Sequence, residues 1–167
     1  MCIRDRNIPL LIRRIDIWDQ APQAVLDVCR QHQVQSVHWN EEYGINEQRR
    51  DDATRALLEK SSIQAHSHLD QLLFRPGTIL TRSGDYFQVF SQFKKNCLEH
   101  LHRGLPALAH RVKRQAPLQI SSDPIPEHVD GFEKPAQTLR DHWPAGEAEA
   151  QARLARFLDE TIDDYHQ

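Results

Sequence analysis

Residues 36–68, SVHWNEEYGINEQRRDDATRALLEKSSIQAHSH, decide the fold. The run SVHWN at 36–40 has the length and composition of a short strand, and IQAHSH at 63–68 can be another. Between them the chain becomes highly charged and then takes up a helical period. A helix is expected from Asn46 through Ser61, with Ala53, Ala56, Leu57 and Leu58 marking its buried side. Within residues 44–62, six acidic or amide side chains surround four basic ones directly behind a strand. That junction is where an open α/β sheet places its ligand site.

Upstream, IPLLIRR at 8–14 is short, β-favouring and bounded by polar residues, which predicts a buried strand. Pro22 then stands where a first helical turn tolerates it, and Val25, Leu26, Val28 and Cys29 form an apolar stripe running to about Gln33. The order β-α-β-α-β predicts an α/β fold: a partial Rossmann-like parallel sheet with flanking helices, followed by a long linker and a helix. Downstream, Pro76, Gly77 and Gly84 punctuate turns, and the aromatic cluster Tyr86, Phe87, Phe90 and Phe93 reads as core. Phe90, Phe93, Cys97, Leu98 and Leu101 predict a further helix from Val89 to His102.

Beyond Gly104 the chain carries most of its nine prolines and shows no period up to Ala145, which predicts a linker over 104–145. The last segment, 146–167, places Leu154, Phe157, Leu158, Thr161, Ile162 and Tyr165 on one stripe, a helix in want of a partner. That stripe leads to the expectation of a further domain beyond the chain's end. Three strands are also few for a sheet that must bury helices, so earlier strands are expected to be missing. Residues 1–7, MCIRDRN, have neither period nor cap and read as a non-native leader, leaving 8–103 as the α/β domain.

Composition narrows the function. With 167 residues, 39% hydrophobic content and a formal charge of -3, the chain suits one ordinary soluble domain plus appendages and lacks the basic footprint that grips a phosphate backbone. The three cysteines, Cys2, Cys29 and Cys97, suggest neither a disulfide framework nor a zinc site, so a reducing cytoplasm is expected; Cys29 and Cys97 sit on apolar stripes and should be inert. No run approaches the roughly 18 apolar residues of a membrane span.

Two motifs carry a resemblance. NEEYGINEQRRDDAT resembles the N-x-x-Y-E-x-x-E-x-x-R-D signature of the photolyase and cryptochrome family's antenna domain, through Asn40, Tyr43, Glu47, Arg50 and Asp51. LLFRPGTILTRSGDYFQVFSQFKK is similar to that family's run from a P-G turn into Y-x-V-F-T-P-F, through Pro76, Gly77, Gly84, Val89, Phe90 and Phe93. The likeness is nearest to the bacterial folate-type cyclobutane pyrimidine dimer photolyases. Gly44 stands where the family usually has Glu, and Ser91 and Gln92 replace Thr and Pro. The family's W-F-R-x-D-L-R opening and its R-D-F-P approach to the flavin domain do not occur in the chain.

The resemblance implies a photolyase fragment: a light-dependent lyase repairing pyrimidine dimers, with methenyltetrahydrofolate as antenna in this domain, FAD in the expected further domain, damaged DNA as partner through that domain, and a monomeric state. It places the folate on Asn46 and Glu47, with no catalytic residue in this part. The chemistry suits that role, because a carboxylate can accept both the 2-amino group and the adjacent ring N–H of a pterin while an amide serves a neighbouring position. The alternatives are a cryptochrome-type photoreceptor and an unrelated α/β nucleotide-binding module, the latter lacking a phosphate-cradling glycine loop among the six glycines. Asn46 as a cap and Glu47 as a first-turn acid would also suit any helix start. Arg50 and Asp51 read as a structural pair. His66 and His68 share a face of their strand, which a metal could use, but without a third ligand they read as a surface or core pair. His100, His102 and the acidic run Asp159, Glu160, Asp163 and Asp164 read as solvated faces.

Overall fold

The computed structural model describes residues 6–104 and 112–165. Most of the expected leader, residues 1–5, lies outside the described residues. Contacts divide the chain into two compact units, Arg13–His110 and Met1–Ile12 with Arg111–Gln167. Among the described residues no helix is long and apolar enough to cross a membrane.

The Arg13–His110 unit begins with a 3-10 turn, Trp18–Gln20, that runs into α1, Ala21–Gln31. Pro22 lies in the first turn of α1, where a missing N–H costs nothing. Then follow β1 (Ser36–Asn40), α2 (Ile45–Lys60), β2 (Gln64–His68) and α3 (Phe90–His102). Strands β1 and β2 pair in parallel, with Val37 opposite Ala65 and His38 opposite His66. The α2 crossover supplies the return path that parallel pairing demands.

Helices α1 and α2 end alike. Gln33 and Ser62 take left-handed φ values of 53° and 60°. The next amide bonds back to the helix in each case: Val34 N–H to the Cys29 carbonyl and Ile63 N–H to the Leu58 carbonyl, both at 2.9 Å. These are Schellman endings, and each delivers an apolar residue, Val34 or Ile63, straight into the core before a strand begins. The core comprises Leu26, Cys29, Leu58 and Ile63, with Val25, Val34, Val37, Trp39, Leu57 and Ala65 packed against it. Alternation along β1 and β2 therefore turns Val37, Trp39 and Ala65 toward the helices and leaves His38, Asn40, Gln64, His66 and His68 exposed on the other face.

Several expectations are corrected. Among the described residues the sheet has two strands, because residues 8–14 form none. Pro9 has no N–H for a ladder, and the neighbouring amides bond elsewhere: Leu10 N–H to Ser122 Oγ (3.0 Å) and Ile12 N–H to Asp123 Oδ2 (2.7 Å), while Asp123 N–H donates to the Leu10 carbonyl (2.8 Å). These bonds place residues 8–12 in the second unit. On α2 the buried positions are Thr54 and Leu58, whereas Ala53 and Ala56 are exposed. The aromatic cluster is largely exposed too: Tyr86 retains 71% and Phe90 74% of their accessible surface. Within the stretch expected to be a linker, a short helix α4 covers Gln137–His142. The final segment is helical as α5, Glu147–Arg156, and then changes winding to a π turn (Phe157–Thr161) and a 3-10 turn (Ile162–Asp164).

Candidate functional site

Both strands end at one rim, Asn40 on β1 and His68 on β2, and the loop 41–44 carries the chain from there to the first turn of α2. Polar residues on the inward side of α2 meet the strand ends here. Counting back from Leu58 in helical steps gives Thr54, Asp51 and Glu47, a stripe that is apolar at one end and ionic at the rim.

The rim holds two hydrogen-bonded clusters, linked by Arg55 stacked over Trp39. Trp39 Nε1 donates to Asp51 Oδ2 at 3.1 Å, and Arg50 donates to Asp51 Oδ1 and to Glu42 Oε2, both at 2.8 Å. Burial by itself would lower the Arg50 pKa, but its hydrogen bonds to Glu42 and Asp51 outweigh that and raise it. Arg55 donates to the Ala65 carbonyl and to Ser67 Oγ, both at 3.0 Å, with its guanidinium over the Trp39 ring at 5.1 Å. Glu41 accepts from Arg75 at 2.7 and 3.2 Å and from Ser67 at 3.0 Å. Arg75 in turn precedes a Pro76-Gly77 turn closed by Thr78 N–H to the Arg75 carbonyl at 3.1 Å, where φ of 79° calls for glycine.

Two hollows open beside this network. One, of about 230 Å³, is lined by polar groups including Glu41, Gln48, Asp51 and Arg55, together with Trp39 and Tyr43. The Tyr43 hydroxyl is buried and has no hydrogen-bond partner among the described residues. The other, of about 220 Å³, lies under Trp18 and is lined by Asp19, Pro22, Asn46, Arg49, Arg50 and Ala53.

Asn46 and Glu47 stand at the rim, in the first turn of α2, but they part company there. Asn46 is exposed and borders the hollow under Trp18, whose Nε1 donates to the Asn46 carbonyl at 3.4 Å. Glu47 is half-buried and borders neither hollow: its carboxylate folds back over Gly44, filling the space a Cβ there would occupy. The Gly44 backbone is extended, with φ of -65°, so the absence of a side chain rather than unusual backbone freedom is what admits Glu47. Arg50 and Asp51 form an ion pair that ties Trp39 to the loop through Glu42, and they also line the two hollows, Arg50 the one under Trp18 and Asp51 the other.

Sequence reasoning missed Glu41, Arg55 and Arg75 at the rim. Helical spacing from Asp51, one turn on, could have found Arg55. Nothing local marks Glu41 and Arg75 as partners, 34 residues apart.

The DNA photolyase family, through its model described as DNA photolyase, matches residues 2–114. Among curated relatives, the deoxyribodipyrimidine photo-lyase of Escherichia coli (strain K12) is 27% identical, with 100% of this chain and 34% of the relative covered. The proteins of the same name from Salmonella typhimurium and Vibrio cholerae are each 25% identical, covering 98% and 96% of this chain and 34% of their own length. The chain thus spans about a third of the length of the curated relatives it matches.

Proposed function

This chain belongs to the DNA photolyase family, and on that footing we propose that it carries the antenna-binding part of a deoxyribodipyrimidine photo-lyase. A methenyltetrahydrofolate chromophore, when bound, would absorb near-ultraviolet or blue light and pass excitation to a reduced FAD that donates an electron to cyclobutane dimers in DNA. The observation that carries the reading is the placement of Asn46 and Glu47 in the first turn of α2 at the carboxyl-end rim of a parallel sheet.

The residues present suit a flat heterocycle. Asn46 offers an exposed amide beside the hollow under Trp18, and Trp18, 48% exposed, offers a ring face. At about 220 Å³ this hollow is smaller than the roughly 300–1,000 Å³ of pockets that enclose whole ligands. It suits a ring system whose tail stays at the surface. Glu47 reaches that ring by swinging off Gly44, a rotation of an unbranched side chain that has no ion pair among the described residues. Its carboxylate then accepts two adjacent N–H groups, and Asn46 serves a neighbouring ring position.

The test is a spectroscopic titration of the chain with methenyltetrahydrofolate, following folate absorbance and fluorescence, for the wild type and Glu47→Gln. Losing a charge-assisted hydrogen bond of about 1.5–3 kcal/mol should weaken binding roughly tenfold to a hundredfold. Asn46→Ala should weaken it less, since a neutral hydrogen bond contributes about 0.5–1.5 kcal/mol. Equal affinities for the wild type and Glu47→Gln would refute the site.

A further inference from the structure

The hollow under Trp18 carries two charges that the protein itself leaves unanswered. Asn46, Arg49, Arg50 and Ala53 line it at helical spacing, so they form one stripe of α2, and Trp18 and Asp19 line it from the 3-10 turn. Arg50 is committed: it donates to Asp51 and Glu42, both at 2.8 Å, and its guanidinium lies 5.1 Å from the centroid of the Trp18 ring. Asp19 and Arg49 are exposed, and neither has an ion pair or a side-chain hydrogen bond among the described residues. One unpaired anion and one unpaired cation therefore stand beside an aromatic face in a hollow of about 220 Å³.

Resting on the folate reading above, we propose that Asp19 and Arg49 set the specificity of this site for a folate with a cationic ring system and an anionic tail. The chemistry matches charge by charge. A methenyl bridge between the two ring-side nitrogens is an amidinium and carries a positive charge, whereas the glutamyl tail carries carboxylates. Arg49 presents a planar fork that takes a carboxylate bidentately, and Asp19 supplies the counter-charge to the bridge. Arg50 does not oppose a cationic ring, because Glu42 and Asp51 already balance its charge.

Trp18 can stack on any flat ring, so it does not separate a charged folate from an uncharged one. The two side chains do, each by favouring one charge and repelling the other. Methenyltetrahydrofolate with a single glutamate is net negative. A site that responds to net charge alone would therefore bind it more tightly once Asp19 is neutralised, and the pairing proposed here gives the opposite sign.

The test is calorimetric titration of the chain with three ligands: methenyltetrahydrofolate, its tail diamide (cationic ring, neutral tail) and 5-formyltetrahydrofolate (neutral ring, anionic tail). Asp19→Asn should weaken the two cationic-ring ligands by roughly twofold to fivefold, the scale of an exposed ion pair, and leave 5-formyltetrahydrofolate as it was. Arg49→Gln should weaken the two anionic-tail ligands by a similar factor and spare the diamide. Both losses should shrink in high salt. Glu47→Gln, which tests the ring site itself, should weaken all three. If Glu47→Gln does so while Asp19→Asn and Arg49→Gln shift the three ligands alike or not at all, or if Asp19→Asn tightens methenyltetrahydrofolate, the specificity is overturned and the folate site stands. If the wild type binds none of the three, or Glu47→Gln changes none, the folate site falls and the specificity falls with it.

Discussion

The Arg75 hydrogen bond holds the Glu41 carboxylate below the ordinary glutamate pKa of 4.5, with Ser67 and the charges of Arg75 and Arg55 acting in the same direction against a desolvation cost. A carboxylate whose folded pKa is depressed binds protons less readily in the native state. Its contribution to stability is therefore fully present above pH 4.5, and it is lost as pH falls below 4.5 through the folded pKa. Arg75→Met, which keeps the stem and removes the charge, should lower the urea midpoint at pH 7, with the gap to wild type closing in acid and shrinking in high salt. A gap that stays constant across that pH range would refute the linkage. At the helix start, Gly44→Ser should behave differently from a change in the core. Serine supplies an N-cap oxygen worth a few tenths of a kcal/mol over glycine, and its Cβ evicts the Glu47 carboxylate, a flexible group that can move. Folate affinity should then rise, since Glu47 no longer rests on Gly44; a fall, with stability unchanged or higher, would mean that Glu47 is not the folate ligand. The positions of Asn46 and Glu47 at the rim were legible because a strand-to-helix junction is a local pattern. The folding of Glu47 over Gly44 was not, because it depends on a missing side chain three residues earlier.

Helices and strands of the first unit were legible to within a residue or so: β1 at Ser36–Asn40, α2 at Ile45–Lys60 and α3 at Phe90–His102 follow from period and punctuation. IPLLIRR misled for a physical reason. A short apolar run says that a segment is extended, while its partner is chosen by far-off groups, here Ser122 and Asp123. The identical endings of α1 and α2 also escaped sequence reading, because Gln33 and Ser62 occupy positions where glycine is the usual signal. A side chain in the left-handed region costs about 1 kcal/mol. Ser62→Gly should therefore stabilise the protein by roughly 0.5–1 kcal/mol, a gain reduced by the greater freedom of glycine in the unfolded chain. Chemical denaturation would measure it as a raised midpoint at constant slope. A lowered midpoint would show that the Ser62 side chain contributes something that the Schellman geometry does not explain.

The Arg13–His110 unit rests on a small core. Leu58, fully buried, stands at its centre and also closes α2, since its carbonyl accepts from both Ser61 and Ile63. Cys29 packs beside it in the same cluster, and burial pushes its thiol pKa up, as befits a small apolar residue rather than a nucleophile. Domains of this size commonly hold about 5–15 kcal/mol, and one with so few fully buried residues belongs at the low end. Leu58→Ala removes a well-packed side chain and costs about 2–5 kcal/mol, a sum comparable with the whole stability of such a unit. The expected outcome is substantial loss of far-UV helical signal at 25 °C without denaturant. Leu57→Ala, at a half-buried position one residue away, should leave the unit folded with a lower midpoint. The contrast between neighbours is the diagnostic, because helix propensity changes equally in both variants while burial does not. If both variants unfold alike, or neither does, the cluster around Leu58 is not what holds the two strands and their helices together.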